Sequence, residues 1–456
     1  MNRQLAGTIK MSRISFLQDM LTSLFDRSVS NEQRLDDRDV DELCSALLSS
    51  RGELSGSRIA SAILDRFDTA DASEQHAWFR YLLTDLDIDA VVAVEAARAY
   101  AEDPSAEHWR QLAAATESSR LELLRRINHV PNATGRLVAM REQLLPLLQT
   151  EQELARVDND FEQLFSSWFN RGFLVLRQID WDTPASVLEK LIEYEAVHAI
   201  NDWSDLRRRL QPADRRCFAF FHPAMPDDPL IFVEVALTQS LPESIQSILA
   251  ADRQTLAAVD ADTAVFYSIS NCQPGLRGVS FGNFLIKQVA RELAGELGNL
   301  KTFRTLSPVP SFVSWLQERI TVGEPDGFDE LAEQALAVVT DGVESASSEQ
   351  LSATSALMAH YLVKVRRDNS EPRDPVARFH LGNGASLSSI VGAADHSPKG
   401  LSQSAGVMVS YLYDLDAIEV NHEAYAQERT VTHAKEVENL LKSLPDSGDR
   451  KQIVNG

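Results

Sequence analysis

Cysteine is scarce in this chain: three residues, Cys44, Cys217 and Cys272, are dispersed over 456 positions. An odd, scattered set excludes a disulfide framework and fits a reducing compartment. No Cys-x-x-Cys or His-Glu-x-x-His spacing occurs, so no metal site is marked. Long apolar runs are missing too. None approaches the roughly 20 residues that cross a bilayer, and the start, Met1–Met20, carries Arg and Lys but leads into no apolar signal core. The sequence therefore gives no reason to expect membrane association. Basic residues are outnumbered, 44 Lys and Arg against 67 Asp and Glu, for a net charge of −23. Such a chain is a poor nucleic-acid binder, and any site for a polyanion must be locally basic.

What is present is ordinary for a globular protein, 44% hydrophobic, and the length calls for more than one core. Residues 1–170 read as an all-helical bundle. Leu43 and Leu47 share one face, as do Ile59, Ile63 and Phe67, and Ala90–Ala101 favours helix strongly. Asp103-Pro104, Pro131-Asn132 and Pro146 are breaks. No constellation of His, Cys or paired carboxylates is organised there, so the predicted role is packing or self-association. Near Trp168–Gly172 the texture changes, with Gly172 as a helix stop. Residues 171–456 mix strand and helix patterns, which predicts a mixed α/β domain. Thr183-Pro184 marks a helix to about Ala196, with Thr183 as N-cap. Arg216–Phe221 and Leu230–Leu237 read as strands around the loop His222–Pro229. Glu243–Leu256, Asp329–Val339, Glu349–Val365 and Val431–Leu444 read as helices. Arg378–Leu387 reads as a strand around a Gly-rich turn, Ala394–Gly400 as a loop and Leu401–Tyr413 as a helix. The fold class is thus multidomain α and α+β.

The chain is organised around Ala264–Leu316. A strand over Ala264–Ile269 is followed by a turn at Pro274-Gly275. A helix then presents Leu285, Val289, Leu293 and Leu297, and a second strand, Lys301–Leu306, leads into Ser307-Pro308-Val309-Pro310. Between strand and helix stand Arg277, Gly278, Val279, Ser280, Phe281, Gly282 and Asn283. Small residues before a helix let a phosphate approach the unpaired N–H groups of its first turn, and Arg277 adds charge. This segment is similar to the pyrophosphate-binding turn of the GNAT acyl-CoA-binding fold, Arg/Gln-x-x-Gly-x-Gly/Ala, with Ser280 at the middle Gly position. Gly278–Gly282 also fits Gly-x-Ser-x-Gly, the nucleophile elbow of α/β-hydrolases. That elbow sits directly at its strand end, whereas here Pro274 and Gly275 intervene.

Six segments carry a wider resemblance: WFNRGFLVLRQIDWDTPASVLEKLIEYEAVHAI, HPAMPDDPLIFVEVALT, FYSISNCQPGLRGVSFGNFLIKQVARELAGEL, LSPVPSFVSWL, ARFHLGNGASL and ADHSPKGLSQSAGVMVSYLYDL. In this order, from about Leu121 to the mid-430s, the chain resembles the malonyl-CoA decarboxylase family. The resemblance implies a GNAT-like catalytic domain after the helical one. It implies release of CO₂ from malonyl-CoA to give acetyl-CoA, without metal or organic cofactor. Ser307 matches the family's catalytic serine, which would orient and polarise the substrate. His380 would give a proton to the enolate, a task suited to imidazole because its pKa lies near working pH. Lys399 matches a basic position of the family loop. Tyr267 and Asn383 are added as donors to the same pocket.

Other readings stand beside these. Ser307 also suits an N-cap. His129 suits a surface or capping residue, and His222 and His396 are rival pocket histidines. Arg207–Arg209 and Arg215-Arg216 read as a solvated face or as contacts to CoA phosphates. A CoA-dependent acyltransferase, a thioester hydrolase acting through Ser280, and a non-catalytic acyl-CoA-binding protein are the alternative functions. The end, Val-Asn-Gly, lacks the Ser-Lys-Leu address of some eukaryotic relatives, which points to a cytoplasmic protein. Self-association into a dimer or tetramer through the helical part is the remaining expectation.

Overall fold

The computed structural model describes residues 38–49, 53–279, 285–323 and 327–445. Packing divides the chain into two compact units, to Asp160 and from Phe161 onward. The regular elements described in the first are all helices. Its helices are Val40–Leu48, Glu53–Thr69, Ala72–Thr84, Ala90–Glu102, Ala106–Ala115, Ser119–Ile127 and Ala133–Leu144, and another, Ala155–Trp168, runs across the boundary. The residues spaced for one face are the ones buried: Leu43, Leu47, Ile59, Ile63 and Phe67, with Phe79, Leu82, Leu124 and Leu137. Asp71 caps the third helix in a reciprocal box with Glu74. Inside the unit the buried Arg141 guanidinium meets Asp158 at 2.6 Å. The helices Ala90–Glu102 and Ala106–Ala115 bury no residue fully, and Val91, Val92, Val94 and Trp109 are exposed.

The second unit is built on a seven-stranded sheet of order β1-β2-β3-β4-β5-β7-β6. The strands are β1 Val175–Ile179, β2 Arg215–His222, β3 Met225–Thr238, β4 Thr263–Asn271, β5 Thr302–Thr305, β6 Ser386–Val391 and β7 Met408–Leu412. β1 to β4 are antiparallel neighbours, and β4 and β5 form the parallel pair. The helix Leu285–Glu296 connects that pair, as a parallel crossover requires. A helical N-terminal part followed by a mixed α/β sheet domain is therefore the architecture the chain adopts.

β4 is the strand that shapes the site. It pairs with β5 only over Thr263–Phe266. The register against β3 shifts between Glu234 and Val235, which face Ser268 and Phe266 and leave Tyr267 as the extra residue. Such a bulge bends the strand. Beyond it β4 runs on with β3, while the chain after β5 turns away and pairs Ser307 with Val409 of the β7 strand. The two parallel strands thus part at Phe266.

Several local expectations are corrected. Arg378–Leu387 begins as a helix, not a strand: Asp374 accepts N–H bonds from Val376 and Ala377, and Pro375 opens the helix Pro375–Gly382. Leu401–Tyr413 is not one helix. It is the end of Pro398–Ser404, a left-handed Ala405, and then β7. The helix over 243–256 shrinks to Ile245–Leu249. Pro184, not Thr183, occupies the cap position of Ala185–Tyr194, and the Thr183 hydroxyl accepts from the Asp180 N–H instead.

Candidate active site

Three elements converge on one buried cluster. The last residue of β5 and the turn after it supply Thr305 and Ser307, the helix Pro375–Gly382 supplies His380, and β7 and the residue after it supply Tyr411 and Tyr413. Ser307 is held by two backbone bonds to Val409, N–H to carbonyl in each direction at 2.8 Å. Its hydroxyl donates to Thr305 Oγ1 at 2.9 Å and lies 3.1 Å from His380 Nε2. His380 Nδ1 lies 2.8 Å from the Tyr413 hydroxyl. The imidazole is stacked on Tyr411, centroids 4.6 Å apart and planes 22° apart. The Tyr411 N–H donates to Thr305 Oγ1 at 3.1 Å.

Hydroxyls thus engage both ring nitrogens of His380, Ser307 at Nε2 and Tyr413 at Nδ1. His380 is 2% and Ser307 6% exposed. Burial pushes the His380 pKa down to about 3, so the free site holds a neutral imidazole. Burial likewise holds the Tyr413 and Tyr411 phenols far above their ordinary range. The free cluster is uncharged throughout.

The remaining candidates fall elsewhere. Asn383 closes the His380 helix, its backbone N–H and Nδ2 both donating to the Phe379 carbonyl, while its buried Oδ1 has no partner. Tyr267 is buried with Ile245, Val265, Leu306 and Met408, and its hydroxyl is unpartnered. Leu306, the neighbour of Ser307, shares that patch, and among the described residues no hydrogen bond or ring contact joins Tyr267 to Ser307 or His380. Lys399 donates to the backbone carbonyls of Ala196 and Val197. Arg277 and Gly278 are exposed, and Val279 is buried. Gly278 has φ +86°, and a Cβ there would meet the Glu162 carboxylate, so glycine is required. Ser280, Phe281, Gly282 and Asn283 lie outside the described residues. The rival histidines are engaged: His222 accepts from the Ala224 N–H, and His396 Nε2 bonds the Ala393 carbonyl. Arg209 is buried against Glu234 at 3.1 Å, and Arg216 pairs with Glu296.

Thr305, Tyr411 and Tyr413 went unread in the sequence. The signal was there: Val409, Tyr411 and Tyr413 alternate at period two and all reach the core that holds His380. Taking Leu401–Tyr413 as a helix hid it.

A family model described as the malonyl-CoA decarboxylase C-terminal domain matches residues 172–451, and the corresponding N-terminal domain model matches 87–169. The mitochondrial malonyl-CoA decarboxylase of Anser anser anser is 38% identical over 308 residues, which cover 62% of this chain and 60% of that protein. That of Rattus norvegicus is 34% identical over 352 residues, 70% of each. The chain thus spans between about three fifths and seven tenths of these relatives' lengths. The crystal structure of malonyl-CoA decarboxylase from Rhodopseudomonas palustris is similar with a TM-score of 0.84 at 46% identity, covering 88% of this chain and 98% of that one. The Agrobacterium vitis structure gives 0.82 at 49%, with 88% and 99% covered. With its second unit matched almost end to end by one of these models, and whole bacterial structures superposing on most of its length, the chain belongs to the malonyl-CoA decarboxylase family.

Proposed function

We propose that this protein decarboxylates malonyl-CoA to acetyl-CoA and CO₂, using Ser307 and His380 and no metal or organic cofactor. The observation that carries the reading is the uncharged, buried chain Tyr413–His380–Ser307–Thr305, placed where β4 and β5 part. Breaking the bond between the α-carbon and the carboxylate leaves its electron pair on the thioester as an enolate. The reaction then needs a fixed carboxylate, donors to the developing charge in a water-poor site, and one proton at the α-carbon.

The neutral site suits each need. The malonyl carboxylate brings a negative charge next to an imidazole whose protonation only burial disfavours, and that charge offsets the penalty. His380 then takes up a proton together with the substrate. As CO₂ departs, the charge passes to the enolate and the imidazolium gives its proton to the α-carbon, returning to neutral. Ser307 orients the carboxylate. Thr305 and Tyr413 are positioning residues that hold Ser307 and the imidazole.

A serine hydrolase is disfavoured at Ser307. Pro308 has no N–H to offer an oxyanion, and among the described residues a tyrosine hydroxyl, not a carboxylate, holds the far nitrogen of the ring. The test is incubation with malonyl-CoA, no metal added, with products followed by mass spectrometry. Wild type should yield acetyl-CoA. Ser307→Ala and His380→Ala should each lose on the order of 10²–10⁴ in kcat, the range of general acid–base help, while still binding acetyl-CoA. Wild-type rates in both variants would refute the assignment.

A further inference from the structure

One cavity differs in character from the buried cluster described above: it is open and charged. It has about 550 Å³ and is lined by Arg366, Arg367, Asp368, Asn369, Arg373 and Arg378. Four guanidinium groups against one carboxylate is an unusual concentration in a chain of net charge −23. The cavity sits in the connection between the helices Ser348–Lys364 and Pro375–Gly382. That connection is held in shape by an Arg366–Pro372 bridge and an Arg367 N–H bond to the Glu371 carbonyl at 2.8 Å.

Two of these arginines are fixed by carbonyls rather than by carboxylates. Arg378 Nη1 donates to the Pro372 and Arg373 carbonyls at 2.9 and 2.6 Å. Arg366 Nη2 donates to the Val363 carbonyl at 2.7 Å, and its buried Nη1 has no partner. Burial lowers the Arg366 pKa, since a charge there is desolvated without a carboxylate to balance it. Arg373 alone of the four forms an ion pair, with Glu318 at 2.5 Å. The arrangement is thus a preformed cationic cup whose charge Asp368 and Glu318 offset only in part. Guanidinium forks fit phosphate oxygens two at a time. No aromatic or aliphatic side chain lines the cup, so it offers nothing to cover a base or an acyl chain.

We infer that this cavity binds a compact phosphate-type oxyanion carrying two or more negative charges. Such a group comes from one of two sources, a free phosphate in solution or the 3′-phosphate at the tail of a CoA ester. The first measurement is calorimetric titration of the full-length protein with inorganic pyrophosphate. One saturable site is expected, weakened at least tenfold in Arg367→Gln and in Arg378→Gln, and unchanged in Arg98→Gln, an exposed arginine of the first unit. Arg367 is exposed, so its replacement should leave the melting temperature in place even where loss of the Arg378 carbonyl bonds lowers it. Competition by acetyl-CoA, and none by its 3′-dephospho form, would assign the cup to the CoA tail. No competition by either would assign it to free phosphate. Absence of saturable binding to wild type, or equal affinity in Arg367→Gln and wild type, would overturn the inference. None of these outcomes depends on the reaction proposed for Ser307 and His380.

Discussion

At the scale of single residues, the decisive fact is that His380 is buried and neutral before substrate arrives, between the hydroxyls of Ser307 and Tyr413. The sign of the resulting pH effect follows. Burial sets the pKa of the free site at about 3, far below neutral, so His380 holds no extra proton there. A carboxylate at hydrogen-bond distance raises that value, so protons must flow into the protein on binding. Calorimetry of malonyl-CoA binding to Ser307→Ala at pH 6 to 7, in buffers of different ionisation enthalpy, should register net proton uptake that vanishes in the Ser307→Ala, His380→Ala double variant. Proton release, or uptake that survives removal of His380, would contradict the proposed role. Much of this pair was legible in the sequence, because Ser307 and His380 sit in Ser-Pro-Val-Pro and Phe-His-Leu-x-Asn-Gly-Ala. Their partners were not: Thr305 acts through tertiary contacts that no local spacing announces, and reading Leu401–Tyr413 as a helix hid the period-two signal of Tyr411 and Tyr413.

At the scale of elements, the site depends on a helix of eight residues, Pro375–Gly382, and on what ends it. The His380 carbonyl accepts from the N–H groups of Asn383 and Ala385, both at 3.1 Å. Between them Gly384 holds φ +81°, and a Cβ there would strike the Ile418 carbonyl oxygen. Gly384→Ala should therefore cost at least ~1–3 kcal/mol in chemical denaturation, the scale of a left-handed residue under strain. It should also reduce kcat while leaving acetyl-CoA affinity nearly intact. A neutral effect on both would mean that the turn does not set the ring. The strands around β4 were readable, because β3 and β4 are long and apolar. The His380 helix was misread because its apolar residues, Val376, Ala377, Phe379 and Leu381, suit either period and a Gly-rich turn follows. The Asp374-Pro375 start signal was the better guide.

At the scale of the whole molecule, the two-part organisation was legible from composition alone: helical periodicity with breaks first, mixed patterns after. The boundary of the compact units, Asp160/Phe161, falls inside the helix Ala155–Trp168, a position that no change of texture marks. We propose that self-association of the helical region uses the surface that exposes Val91, Val92, Val94 and Trp109. Val91→Glu is then expected to lower the sedimentation mass of the full-length protein, and an unchanged mass would remove this surface from the interface. None of the described helices is long and apolar enough to cross a membrane. Cleavage of the bond between α-carbon and carboxylate, with one proton delivered in its place, is tested most directly by a short incubation with malonyl-CoA in D₂O, followed by mass spectrometry of the thioester. Acetyl-CoA carrying one solvent deuteron in its methyl group for each CO₂ released is the expected product. Free CoA with malonate, or malonyl-CoA left intact, would contradict it.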